Sequence, residues 1–251
     1  MHCNEIILIF ISFVFQFLAM KYLVRILLLL PLTFLGQTSF EKGENYFKLE
    51  KWELAKVQLE KSLKQNPSDL KSIEYLGDIQ CHSMNWQQAI PYYEKLMKVK
   101  PSEAEYFYKF GGATAMLAKE SNKFSALSLI HDAIDSFEKT IALDRNHIGA
   151  RWALLEIYIQ LPGIVGGSER KAKKYAEELL RISPVDGYLA KGHVEEYFRR
   201  YSAAEKNYKK AIEIGNSLTT YQKLANLYKN KMDQPEKAKQ LLAAYNEKNK
   251  S

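Results

Sequence analysis

Residues 43–67 read GENYFKLEKWELAKVQLEKSLKQNP, and residues 77–101 read GDIQCHSMNWQQAIPYYEKLMKVKP. Shifted by 34 positions, Gly43 falls on Gly77, Trp52 on Trp86, Ala55 on Ala89 and Pro67 on Pro101. Within each copy the apolar and small residues recur at three- and four-residue spacing, which is the signature of amphipathic helices. Gly43 and Ala55 let two helix axes approach closely, and bulky Tyr46 and Leu59 fill the space beside them. Pro67 disfavours helical geometry at Asn66 and so marks the end of the unit.

The period, with its Gly, Ala and Pro punctuation, resembles the tetratricopeptide repeat, a helix–turn–helix unit. The resemblance implies an all-α, right-handed superhelical solenoid, and the pattern continues to Leu242. Six repeats are expected over about 37–69, 70–103, 104–146, 148–184, 185–216 and 218–248, together spanning 37–248. In the second, Asn85 reads as an N-cap and Pro91 predicts a kink or a late start. The third carries ten extra residues between Gly111 and Ala133, expected to lengthen its hairpin by extending the second helix backwards. The fourth has a turn about five residues too long, LPGIVGGSERKA, with Ser168 as N-cap. One such pair cannot bury its apolar face, whereas stacked pairs share a continuous core.

Residues 1–36 are a hydrophobic leader. The runs 6–20 and 26–36 are apolar and flank Lys21 and Arg25. Neither reaches the roughly 20 residues that span a bilayer. Taken from Met20, Lys21 and Arg25 form a positive n-region, 26–35 an apolar h-region and Gly36 a small residue near a cut. This predicts a signal peptide or membrane anchor with the true start at Met20, and an exported chain that is periplasmic or anchored facing the periplasm.

The net charge of +7 is uneven. Residues 37–165 hold 16 basic against 17 acidic side chains, and 166–251 hold 18 against 11. A basic last third suits an anionic partner or membrane surface, but its lysines alternate with acids and the leader argues against nucleic acid. The cysteines are Cys3 and Cys81, too few for a disulfide framework.

Catalytic signatures are missing. No HExxH spacing, nucleophile elbow, phosphate loop or dinucleotide fingerprint occurs. Cys81 and His82 are adjacent on a helix and point apart, so no metal set or cofactor site is expected. The expectation is a non-catalytic scaffold. Solenoids of the family bind through the concave face, lined by the first helix of each pair. The register puts Glu44, Glu74, Asp78, Tyr108, Trp152, Glu156, His193 and Tyr197 there, beside Phe40 and Phe47. The acidic members favour a basic or neutral extended peptide or partner protein. The lysines and asparagines of the family's carboxylate clamp are replaced here by Phe40, Glu44, Tyr75 and Glu105, so clamp activity is not implied. Gly166, Gly167, Ser168 and Arg170 form a candidate anion site at a helix N-terminus. A second reading is an accessory subunit of a solute transport system, with a pocket around Tyr108, Trp152 and the glycine loop.

Overall fold

The computed structural model describes residues 37–249, so the expected leader lies outside the described residues. Twelve α-helices occur among them, in six consecutive hairpins. These are α1 (Ser39–Lys48) with α2 (Trp52–Gln65), α3 (Leu70–His82) with α4 (Trp86–Val99), and α5 (Ala104–Glu120) with α6 (Lys123–Leu143). They continue as α7 (Ile148–Gln160) with α8 (Glu169–Ile182), α9 (Pro184–Tyr197) with α10 (Tyr201–Gly215), and α11 (Leu218–Asn230) with α12 (Pro235–Lys248). No helix among the described residues is long and apolar enough to cross a membrane.

The hairpins close around one recurring contact. A Cβ added to Gly43 would lie 2.7 Å from Leu59 Cγ; at Gly77 it would lie 2.8 Å from Tyr93 Cε1, and at Gly192 2.4 Å from Tyr208 Cε1. In each case the bulky residue follows its glycine by sixteen positions. Gly111 meets Phe137 at 3.0 Å in the same way, the spacing lengthened by the ten inserted residues. Leu59, Tyr93, Phe137 and Tyr208 are all essentially buried. Each such side chain stabilises by about 1.5–3 kcal/mol on leaving water, more than the roughly 1 kcal/mol that a helical glycine costs.

The turns separate regular from irregular hairpins. The four regular ones each place a non-glycine residue in the left-handed region: Glu50 (φ 56°), Met84 (59°), Arg199 (59°) and Asp233 (53°). The N–H of the following residue donates to a carbonyl five or six residues back, as from Lys51 to Tyr46 and from Asn85 to Gln80. The third hairpin instead turns at Asn122, whose side chain accepts from the N–H groups of Phe124 and Ser125. The fourth passes through a short 3₁₀ turn, Gly163–Val165, and Gly166 at φ 103°.

The insertion extends α6 to 21 residues, backwards as the sequence predicts. Ser168 caps α8 by accepting from Lys171 N. One local expectation fails, and of the two alternatives at Pro91 the late start is excluded. Asn85 stands at the N-cap position but makes no capping bond; its amide donates to Gln80 Oε1 at 3.2 Å. Helix α4 does not start late, beginning at Trp86 and running through Pro91. Both Pro91 and Gln87, whose carbonyl loses its donor, are exposed, so water satisfies the broken rung.

The apolar cores straddle the hairpins. Leu59 packs with Leu76 and Ile79 of the next pair, Tyr93 with Tyr106 and Ala113, and Phe137 with Leu154, Leu155 and Val194. Successive first helices also touch, α1 with α3, α5 with α7, α7 with α9 and α9 with α11, while second helices do not do so comparably. A stack whose first helices crowd together curves towards them, so their row is the inner face. The junction between α3 and α5 is the exception in that row.

The two kinds of helical glycine have opposite expected responses. Gly192→Ala drives a methyl into the Tyr208 ring and lowers the unfolding free energy by about 1–3 kcal/mol. Gly112→Ala meets nothing within 4 Å and raises it by about 0.5–1 kcal/mol. Urea melts of both variants check the pair.

Candidate functional site

The inner face carries the predicted residues, but not as a free acidic surface. Lys109, one repeat further along on α5, bridges the open junction to α3. Its Nζ lies 2.7 Å from Glu74 Oε1 and 2.7 Å from Asp78 Oδ2. Lys71 adds a second contact to Glu74 at 2.9 Å, and Tyr93 donates to Asp78 at 2.8 Å. Burial opposes the charge on Glu74, yet the hydrogen bonds from Lys109 and Lys71 outweigh it and hold its carboxyl below the usual range. Burial likewise opposes the Lys109 charge, and Asp78 and Glu74 more than restore it, pushing its ammonium up.

Glu44 is similarly engaged. Tyr75 donates to it at 3.0 Å and Lys48 lies at 3.2 Å; the Tyr75 hydroxyl and then Lys48 depress its carboxyl. Glu156 lies 2.8 Å from His193 Nε2 and accepts from Gln160. The His193 contact is the leading cause of its lowered pKa. Trp152 donates to Asp186 at 3.1 Å and its ring lies 6.3 Å from His193. The Tyr108 ring lies 5.8 Å from Phe137 and 4.6 Å from His147, tilted against both. Tyr197 is 46% exposed. The expected acidic groove is therefore corrected: its carboxylates are spent largely on neighbouring repeats.

The structure groups Asp78, Tyr108 and Glu156 around one cavity of about 780 Å³ on the inner face. Its walls come from α3, α4, α5, α7 and the extended α6, and are mostly apolar. Cys81, Lys109, Gly112, Met116, Lys119, Ile130 and Ile157 also line it. The expected pocket is thus displaced towards α3; it includes Tyr108 but neither Trp152 nor the glycine loop. Sequence reasoning missed Lys109 and Gly112. Two adjacent glycines at 111 and 112, where the period requires one, were the available signal.

The glycine loop does not form an anion site. The N–H groups of Gly166, Gly167 and Ser168 donate to the carbonyls of Gly163, Pro162 and Tyr158 at 3.2, 3.1 and 2.8 Å. A Cβ on Gly167 would lie 1.8 Å from the Leu161 carbonyl oxygen, so the loop is closed against the end of α7 at that residue. Glu169 already supplies the negative charge favoured at the start of α8, held by Lys173 at 2.8 Å and Arg200 at 2.6 Å. Arg170 is exposed. Among the described residues, no group of three or more histidine, cysteine or acidic side chains is placed to hold a metal ion.

Removing the bridge tests its weight. Lys109→Met leaves two inner-face carboxylates without their shared cation and costs about 2–3 kcal/mol at neutral pH, the usual cost of breaking a buried pair reduced for its partial exposure. Adding Glu74→Gln recovers part of the loss. Because the Glu74 pKa is depressed in the fold below its ordinary 4.5, its contribution is complete above that pH. It disappears as pH falls through the folded value. Acid melts of Glu74→Gln should therefore slope less than those of the parent.

No family model matches the chain, and no curated protein matches it. Solved structures do. A tetratricopeptide repeat protein from Parabacteroides merdae aligns with a TM-score of 0.62 at 16% identity, covering 82% of this chain and 77% of that one. TTC0263, a thermophilic repeat protein of Thermus thermophilus, aligns at 0.57 and 15%, covering 82% and 97%. YrrB, described as a repeat protein with an unusual peptide-binding site, aligns at 0.51 and 16%, covering 72% and 87%. With its twelve helices paired as described, the chain has the tetratricopeptide-repeat fold.

Proposed function

We propose that this chain is a non-catalytic interaction scaffold that takes a peptide or partner protein on the face formed by its first helices. The observation that carries the reading is the row of first helices that approach one another, α1 with α3, α5 with α7, α7 with α9 and α9 with α11. It gathers half-buried and exposed side chains from several hairpins onto one continuous inner surface: Phe40, Glu44, Tyr108, Trp152, Glu156, His193 and Tyr197. Aromatic rings with one apolar side and one polar tip suit such a surface. The peptide-binding site described for YrrB supports a partner of the same kind. Since Glu74 and Asp78 are bound to Lys109 and Glu156 to His193, recognition falls to the aromatic side chains, with a neutral or weakly basic segment as the fitting partner.

We place the scaffold outside the cytoplasm, on the export-type pattern of Lys21, Arg25 and the apolar run 26–35. The protein is either released by cleavage or held at the membrane by residues 1–36.

Photo-crosslinking residues placed at 156 and 197 on the inner face, and at exposed Val57 and Ile214 on second helices, test the surface. A discrete crosslinked partner is expected from 156 and 197 only. Equal crosslinking from 57 and 214 defeats the reading. N-terminal sequencing of the protein recovered from the cell envelope should give a chain starting near Gln37, or an intact leader in the membrane fraction.

A further inference from the structure

We propose that the cavity over α5 binds an unbranched apolar chain ending in a single acidic group, that is, a fatty-acid-like carboxylate. This goes beyond the scaffold reading and does not rest on it. The starting point is Gly112. A glycine inside a helix costs up to about 1 kcal/mol, and at Gly43, Gly77, Gly111 and Gly192 a bulky neighbour occupies the space gained. At Gly112 a Cβ would meet nothing within 4 Å. The space beside it is open, and Gly112 lines the cavity together with Met116, Ile130, Ala153 and Ile157. The volume of about 780 Å³ lies in the range of small-molecule sites.

The polar groups at the walls decide the class of occupant, because nearly all are spent on each other. Asp78 is held by Lys109 and Tyr93, Glu156 by His193 and Gln160, and Trp86 Nε1 donates to Glu120 at 2.9 Å. Glu105 faces His147 at 3.6 Å. An extended peptide sunk into the cavity, as distinct from one lying across the face outside it, would leave its own N–H and C=O groups without partners, at a cost for each. A hydrocarbon chain carries no such groups along its length. Its head needs one cation; of the two lining lysines Lys109 is already held by Glu74 and Asp78, which leaves Lys119, exposed and making no ion pair among the described residues. The Lys119 charge reaches Glu156 across the mouth and helps to depress its carboxyl. Glu105, about 21 Å along α5 from Lys119 at 1.5 Å per residue, repels a carboxylate from the other end, so the head settles at the Lys119 end.

The test uses the protein as purified from its cells, with dodecanoate below its micelle concentration as probe. Two readouts apply: isothermal titration, and alkylation of Cys81 by iodoacetamide followed by peptide mapping. Cys81 lines the cavity, and burial pushes its thiol up, so alkylation is run at alkaline pH. One dodecanoate should bind per chain and slow Cys81 alkylation several-fold. Gly112→Leu should keep its helical circular dichroism and melting temperature while losing both signals; Met116→Trp, filling the same space from one turn away, is the second variant. Lys119→Glu should weaken dodecanoate by about tenfold or more, the scale of one charge-assisted hydrogen bond, and leave dodecanol binding unchanged. No binding to the parent protein, full protection of Cys81 in both filled variants, or dodecanoate affinity indifferent to Lys119 overturns the proposal. Retention on phosphatidylglycerol vesicles without dodecanoate binding overturns it too, assigning the affinity to surface lysines. Partner crosslinking from residue 197 is read separately, so failure here leaves the scaffold reading standing.

Discussion

The structure depends on how closely the two helices of each hairpin approach. In four hairpins a glycine on the first helix receives a buried ring or leucine from the second. In the fourth the two sizes change places, and in the sixth an alanine stands where the glycine would be. The fourth hairpin has Leu155 at the glycine site and Ala176 at the bulky one, both fully buried in one cluster. The sixth has Ala225 and Leu242. A small residue must face a large one, but either helix can supply it. Volume-conserving exchange is what close-packed interiors tolerate best, which is why one backbone geometry accommodates such different side chains along the stack.

Much of this was legible in the sequence because it is periodic. A pattern repeating every 34 residues reports which face each helix buries, where each hairpin ends and where residues were inserted. The backward extension of α6 and the Ser168 cap follow from local rules of that kind. What the period does not report is the pairing between repeats. Lys109 binds Glu74 and Asp78 from 31 to 35 residues away, and only the stacking angle brings them within reach. Read alone, the carboxylates at 74 and 78 look like a free acidic face; in the fold they hold α3 to α5. The glycine loop failed as an anion site for a related reason. Glycines announce conformational freedom, not free N–H groups, and here the donors are consumed within the turn.

Charge in this protein therefore serves mainly to join elements. Around the start of α8, Glu169, Lys173, Glu195 and Arg200 form a connected set spanning the fourth and fifth hairpins. The lysine excess of the last third lies largely on exposed helix faces, several members paired within one turn, as Lys209 is with Glu205 and Lys239 with Glu236. Exposed pairs of this sort contribute little to stability, so that surface gains solubility and leaves the inner face to aromatic and apolar groups.

The insertion in the third hairpin changes what the regular contact can do. In an unmodified repeat, the space beside the glycine contact is closed by the next first helix. Here α5 and α6 both run past their usual length, and the N-terminal half of α6 stands as an extra wall without a counterpart in neighbouring hairpins. Gly111 still performs the periodic task, packed on Phe137. Gly112, one residue on and turned about 100° around the helix, faces the volume that the extra wall encloses. A side chain there would favour the helix and fill that volume. Keeping it absent sacrifices some helical stability for space, and the cavity is where the period breaks, next to the first-helix junction that Lys109 bridges.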